Sequence, residues 1–99
     1  MTDVTSPADL DALRDAIDEL DLQILELVAR RVSTVLQVAD YKRVHGMPVY
    51  DPERERRLLE RLCELRPVPL DRDTVRRVFE RLIDESRRVE QKHLERQSG

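Results

Sequence analysis

Tryptophan is absent from this sequence, and glycine, cysteine and aromatic rings are scarce: two glycines, one cysteine, two tyrosines and one phenylalanine in 99 residues. Strands draw on aromatic side chains and their turns on glycine, so this composition suits helices and suits sheets poorly. A lone Cys63 excludes an internal disulfide and a cysteine-based zinc cluster, and is expected to serve in packing in a reducing compartment. Phosphate-cradling glycine loops are missing, and the two histidines, His45 and His93, stand apart at a predicted helix end and near the tail, so no metal set is expected. Apolar runs never approach the roughly 20 residues that span a bilayer. Met1 to Ala8 lacks the basic and apolar regions of a signal peptide, and a cytoplasmic protein is expected. A formal net charge of −3, made of interleaved charges, gives no basic field to attract nucleic acid or an anionic membrane.

What remains is 39% hydrophobic and 39% charged, with no internal repeat, and it fits one all-α domain over residues 1–99, frayed at 1–6 and 95–99. Steps of three and four give a first stripe: Leu10, Leu13, Ile17, Leu20, Ile24, Val28, Arg31, Val35, Val38 and Lys42. Ser6-Pro7-Ala8-Asp9 reads as a capped helix start, and nothing interrupts the pattern before His45-Gly46. A helix from Pro7 to Val44 would be about 55 Å long, whereas a compact domain of this size has a radius of gyration of about 13 Å. One chain cannot cover such a stripe, so the natural cover is a second copy of the helix, in an intertwined or side-by-side homodimer.

Gly46 to Tyr50 forms a linker, and Asp51-Pro52 opens a second helix whose apolar face is Leu58, Leu59, Leu62 and Leu65, with Glu55 on the same face. Two prolines at Pro67 and Pro69 break the chain again, and Asp71 or Asp73 caps a third helix. Val75, Val78, Phe79, Leu82 and Ile83 line that helix, and its face turns polar at Ser86 and Glu90.

Arg31 and Lys42 interrupt the first stripe, and Arg14 lies beside it. Neither Arg31 nor Lys42 has a carboxylate three or four residues away, and buried cations need anions. Each has a plain structural account. Arg14 can pair with Asp11 and Asp18, Arg31 with Glu55 or Glu90 on another helix, Lys42 can snorkel into water, and Ser86 can bond its own helix. Together, inward polar groups on three helices with cations in excess describe a polar pocket for a small dianion. An enzyme built this way would work by positioning and electrostatics, without cofactor, metal or covalent nucleophile.

Leu13-Arg14-x-x-Ile17-Asp18-x-x-Asp21, Arg30-Arg31, Lys42 and Pro48-Val49-x-Asp51-x-x-Arg54-Glu55 together resemble the all-α chorismate mutases over nearly the whole chain. The resemblance implies an intertwined dimer of three-helix chains, with Arg14 reaching each site from the partner subunit. It implies that Arg31 and Lys42 bind the carboxylates of chorismate, with Lys42 also near the ether oxygen of the breaking bond. Asp51, Arg54 and Glu55 would form the segment that receives the ring hydroxyl, Glu55 being the acceptor. Ser86 would bind a carboxylate, and Val35, Val38, Leu58 and Ile83 would wall the ring. Glu90 departs from the family's usual glutamine, a donor to the ether oxygen, and an ionised carboxylate can only accept. Tyr50 before Asp51, and Arg87 where an apolar residue is usual, are milder departures. The expected reaction is the rearrangement of chorismate to prephenate. Related 4-amino-4-deoxychorismate mutases and isochorismate-pyruvate lyases share such a cage, and a non-catalytic helical dimerisation module stands as the alternative of a different class.

Overall fold

The computed structural model describes residues 6–98, and it holds three helices: α1 (Pro7–Val44), α2 (Pro52–Leu65) and α3 (Arg72–Ser98). Residues 1–5, part of the stretch expected to fray, lie outside it. Chain contacts divide into two compact units, Met1–Arg31 and Val32–Gly99, with α1 contributing to both.

Ser6 and Asp9 start α1 as a reciprocal capping box. The Ser6 hydroxyl accepts from the Asp9 backbone N–H at 3.2 Å, and the Asp9 carboxylate accepts from the Ser6 N–H at 3.2 Å. In the first unit the stripe is uncovered: Leu10 is 44% exposed, Ile17 55% and Ile24 57%. At its other end α1 stops in a Schellman turn, with Met47 N–H donating to the Lys42 carbonyl (2.8 Å) and Gly46 N–H to that of Arg43 (3.3 Å). Gly46 takes a φ of 67°, which an L side chain rarely adopts.

The second unit packs α2 against α3. Cys63 is fully buried between them and its thiol donates to the Arg72 carbonyl at 3.6 Å, while Val75 and Ile83 of α3 and Ala39 of α1 are also buried. Asp51 caps α2, accepting from the Arg54 N–H at 3.1 Å, with Pro52 at the first helical position. Of the two candidate caps for α3, Asp71 is used, accepting from the Thr74 N–H at 2.7 Å. Accepting hydrogen bonds from Thr74 holds the Asp71 carboxyl below the usual carboxylate range. The tail from Glu95, expected to fray, is helical as far as Ser98. His93 on this last part of α3 bonds Asp40 of α1 at 2.9 Å, a contact that joins the two helices. Exposed pairs such as Arg56 with Glu53 and Glu60 decorate α2 and contribute little to stability.

Candidate active site

Within the second unit, three helices bring charged side chains to one place: Lys42 from α1, Glu55 from α2, and Arg87 and Glu90 from α3. Helical spacing explains the last two, since Glu90 lies one turn beyond Ser86 and two beyond Ile83 on the buried face, and Arg87 lies one turn before Glu90 and beside it. Lys42 is half-buried, and its ammonium donates to the Val49 carbonyl at 3.4 Å, tying the end of α1 to the linker that precedes α2.

Glu90 is the group whose chemistry this setting alters most. Burial pushes its carboxyl above the usual range, the Lys42 and Arg87 charges draw it down, and Glu55 pushes it up again. A neutral Glu90 can donate a hydrogen bond, which an ionised one cannot.

Glu55 is engaged by Arg87, whose Nη2 donates to both carboxylate oxygens at 2.6 and 2.5 Å. The same guanidinium lies over the Tyr50 ring, 4.7 Å from its centroid. Beside this group is a cleft of about 320 Å³, lined by residues that include Tyr50, Glu55, Leu59, Ile83, Asp84 and Arg87. That volume falls at the lower end of small-ligand sites.

Among the other residues singled out from sequence, Ser86 is 3% exposed and its hydroxyl donates to the Leu82 carbonyl of its own helix at 2.7 Å. Asp51 is half-buried and one of its oxygens serves the α2 cap, while the Arg54 side chain is exposed. Val35 and Leu58 are half-buried, Val38 is 48% exposed and Ile83 is 7% exposed. Arg14 and Arg31 belong to the first unit, the former exposed and the latter half-buried. On α1 they stand nearly five turns apart, roughly 25 Å along the axis, so one copy of the helix cannot bring both to one small molecule. Leu59 and Asp84 of the cleft had no sequence signal that set them apart from an ordinary helix face. Arg87 and Tyr50 stood out only as departures from a family pattern, and their contact joins segments distant in sequence.

The sequence pattern described as chorismate mutase type II matches residues 13–91. A chorismate mutase of Methanocaldococcus jannaschii is 34% identical over 84 residues, covering 84% of this chain and 85% of that protein. The T-protein of Enterobacter agglomerans is 39% identical over 80 residues, and there the matched region is 80% of this chain but only 21% of the relative. This chain thus spans about a fifth of the length of some of its relatives. Among solved structures, a chorismate mutase of Thermus thermophilus superposes with a TM-score of 0.79 at 30% identity, covering 83% of this chain and 93% of that one. No helix among the described residues is long and apolar enough to cross a membrane.

Proposed function

Because this chain belongs to the chorismate mutase type II family, we propose that it rearranges chorismate to prephenate as a homodimer without a cofactor. The observation that carries this reading is the convergence of Lys42, Glu55 and Glu90 from three helices, with burial holding the Glu90 carboxyl toward its neutral form. A pericyclic rearrangement needs neither nucleophile nor metal. It needs the substrate folded into its reactive conformer and charge met where it develops.

Arg31 and Lys42 hold the two carboxylates, joined by Arg14 of a second copy of the chain, and guanidinium groups suit such bidentate work. Support for the second copy comes from the nearly five turns between Arg14 and Arg31 and from the uncovered stripe of Leu10, Ile17 and Ile24. Ser86 adds a hydroxyl by turning its proton from the Leu82 carbonyl to a substrate carboxylate. Lys42 and neutral Glu90 donate to the ether oxygen as its bond to carbon breaks, stabilising negative charge that is small in the ground state. Glu55 accepts from the ring hydroxyl, with Asp51 and Arg54 beside it, and Val35, Val38, Leu58 and Ile83 exclude water from the ring. The compartment that suits this chemistry and the lone thiol is the cytoplasm.

The test offers the purified protein chorismate, isochorismate and 4-amino-4-deoxychorismate in parallel and identifies products by NMR, beside an Arg31→Ala control. Prephenate formed from chorismate and lost in the control is the expected result. Turnover of none of the three would return Arg31, Lys42 and Glu90 to structural ion pairing in a helical interaction module.

A further inference from the structure

The carboxylate that reads the ring substituent is itself held by a cation. Arg87 Nη2 donates to both oxygens of Glu55, at 2.6 and 2.5 Å, and its guanidinium lies 4.7 Å from the centre of the Tyr50 ring. Two of the three residues that depart from the family pattern, Tyr50 and Arg87, therefore touch each other, and Arg87 grips Glu55. Both ends of the pair are half-sheltered, the Arg87 and Glu55 side chains being 39% and 28% exposed, so water screens the contact only in part. From this geometry we infer that Arg87 is a specificity-determining residue, held in place by Tyr50, which tunes Glu55 to accept a hydroxyl on the substrate ring and to reject an ammonium there.

An ionised carboxylate offers about four lone-pair sites. Arg87 takes one on each oxygen and leaves acceptors for a neutral hydroxyl, which needs only one. An ammonium needs a counter-charge in return for its lost water. Glu55 has already given its charge to Arg87, whose own cation stands within one carboxylate's width of the incoming group and repels it. Unpaired, Glu55 would be the natural counter-ion for an amino-substituted ring, so Arg87 works against that ligand rather than for the hydroxyl one. Tyr50 keeps the guanidinium in register by presenting a ring face to it, making Tyr50 a positioning residue. The inference rests on the reading of Glu55 as the ring-substituent acceptor.

The experiment measures kcat/KM for chorismate and for its 4-amino analogue with the wild type, Arg87→Met and Arg87→Lys, and reads the ratio between the two substrates. Loss of folded protein, or a change in Glu90 caused by removing a neighbouring charge, affects both substrates and cancels in the ratio. Arg87→Met is expected to move the ratio toward the amino compound by about tenfold or more, chiefly through KM, and Arg87→Lys, which keeps the charge, to stay near the wild type. A ratio unmoved in Arg87→Met, or moved as far in Arg87→Lys, overturns the inference while the mutase activity stands. Turnover of neither compound by the wild type overturns the activity and this inference with it. Should Arg87→Met fail to fold, Tyr50→Leu carries the test, since it frees the guanidinium from its platform and must shift the ratio in the same direction.

Discussion

If Glu90 meets the ether oxygen as proposed, glutamine in its place separates a donor from an acceptor there with almost no change of shape. Burial holds the wild-type carboxyl above its ordinary range, against the pull of Lys42 and Arg87 and with a further push from Glu55. The neutral acid donates and the carboxylate does not, so the working fraction is the protonated one. Above the folded pKa that fraction falls about tenfold for each unit of pH. Removing one preorganised donor from a developing oxyanion lowers kcat by about 10²–10³. Wild-type activity should therefore fall about tenfold per unit over some two to three units, then level where Lys42 alone remains. Glutamine donates at every pH, so Glu90→Gln should give a flat profile over the same interval and match the wild type within a few-fold at its acid end. Stability follows the same sign. A carboxyl raised in the folded state binds its proton more tightly there than when unfolded, so the wild type loses stability as pH climbs from the unfolded pKa through the folded one, and the glutamine variant does not. The assay is chorismate consumption against pH, with kcat and kcat/KM fitted separately. An identical curve in both proteins, or wild-type activity that climbs across the interval, would refute the role given to Glu90.

Lys42→Ala and Arg31→Ala should each abolish turnover while circular dichroism and sedimentation still report a folded dimer; near-normal turnover in either removes that cation from the mechanism. Ile17, 55% exposed in the single chain, should become the weak point of assembly on substitution: Ile17→Asp is expected to sediment at half the mass and to lose activity although no catalytic group has changed, and a fully active dimer would speak against the seam. Asp40 is held below the usual carboxylate range, first by its hydrogen bond to His93. A lowered folded pKa contributes stability that is present above the unfolded value and lost as pH falls through the folded one, so the stability gap between the wild type and Asp40→Asn should close in acid. Urea melts across that range measure it, and a gap that persists unchanged at the acid end contradicts the assignment.

The ends of α1 and α2 were legible because their signals are local. Ser6 with Asp9, Gly46, and Asp51 with Pro52 each fix a few neighbouring backbone groups, and the structure uses them so. Asp71 and Asp73 are equally good caps by residue type, and only the backbone path into α3 decides for Asp71. Lys42 was legible as inward because a stripe extrapolates along one helix. Arg87 was not, for it stands beside the stripe of α3, and its partner Glu55 is 32 positions away on another helix. Pairing of that kind is decided by how α2 and α3 pack, which no periodicity within either helix records. Ser86 was visible as a polar residue on a buried face, but whether its proton goes to Leu82 or elsewhere depends on the rotamer. The helix continues beyond Leu94 to Ser98 although no apolar residue follows Leu94, and just before that run His93 bonds Asp40 of α1.

The nearly five turns of rigid helix between Arg14 and Arg31 have a genetic meaning. If each site takes Arg14 from one chain and Arg31 with Lys42 from the other, a chain defective at Arg14 and a chain defective at Lys42 are each inert alone yet compensate when paired. The mixed dimer then concentrates both defects in one site and leaves the other whole. With random pairing of equal amounts, about a quarter of all sites work. Damage to one allele is thereby partly shielded by different damage to another, a tolerance that a site built from a single chain does not have.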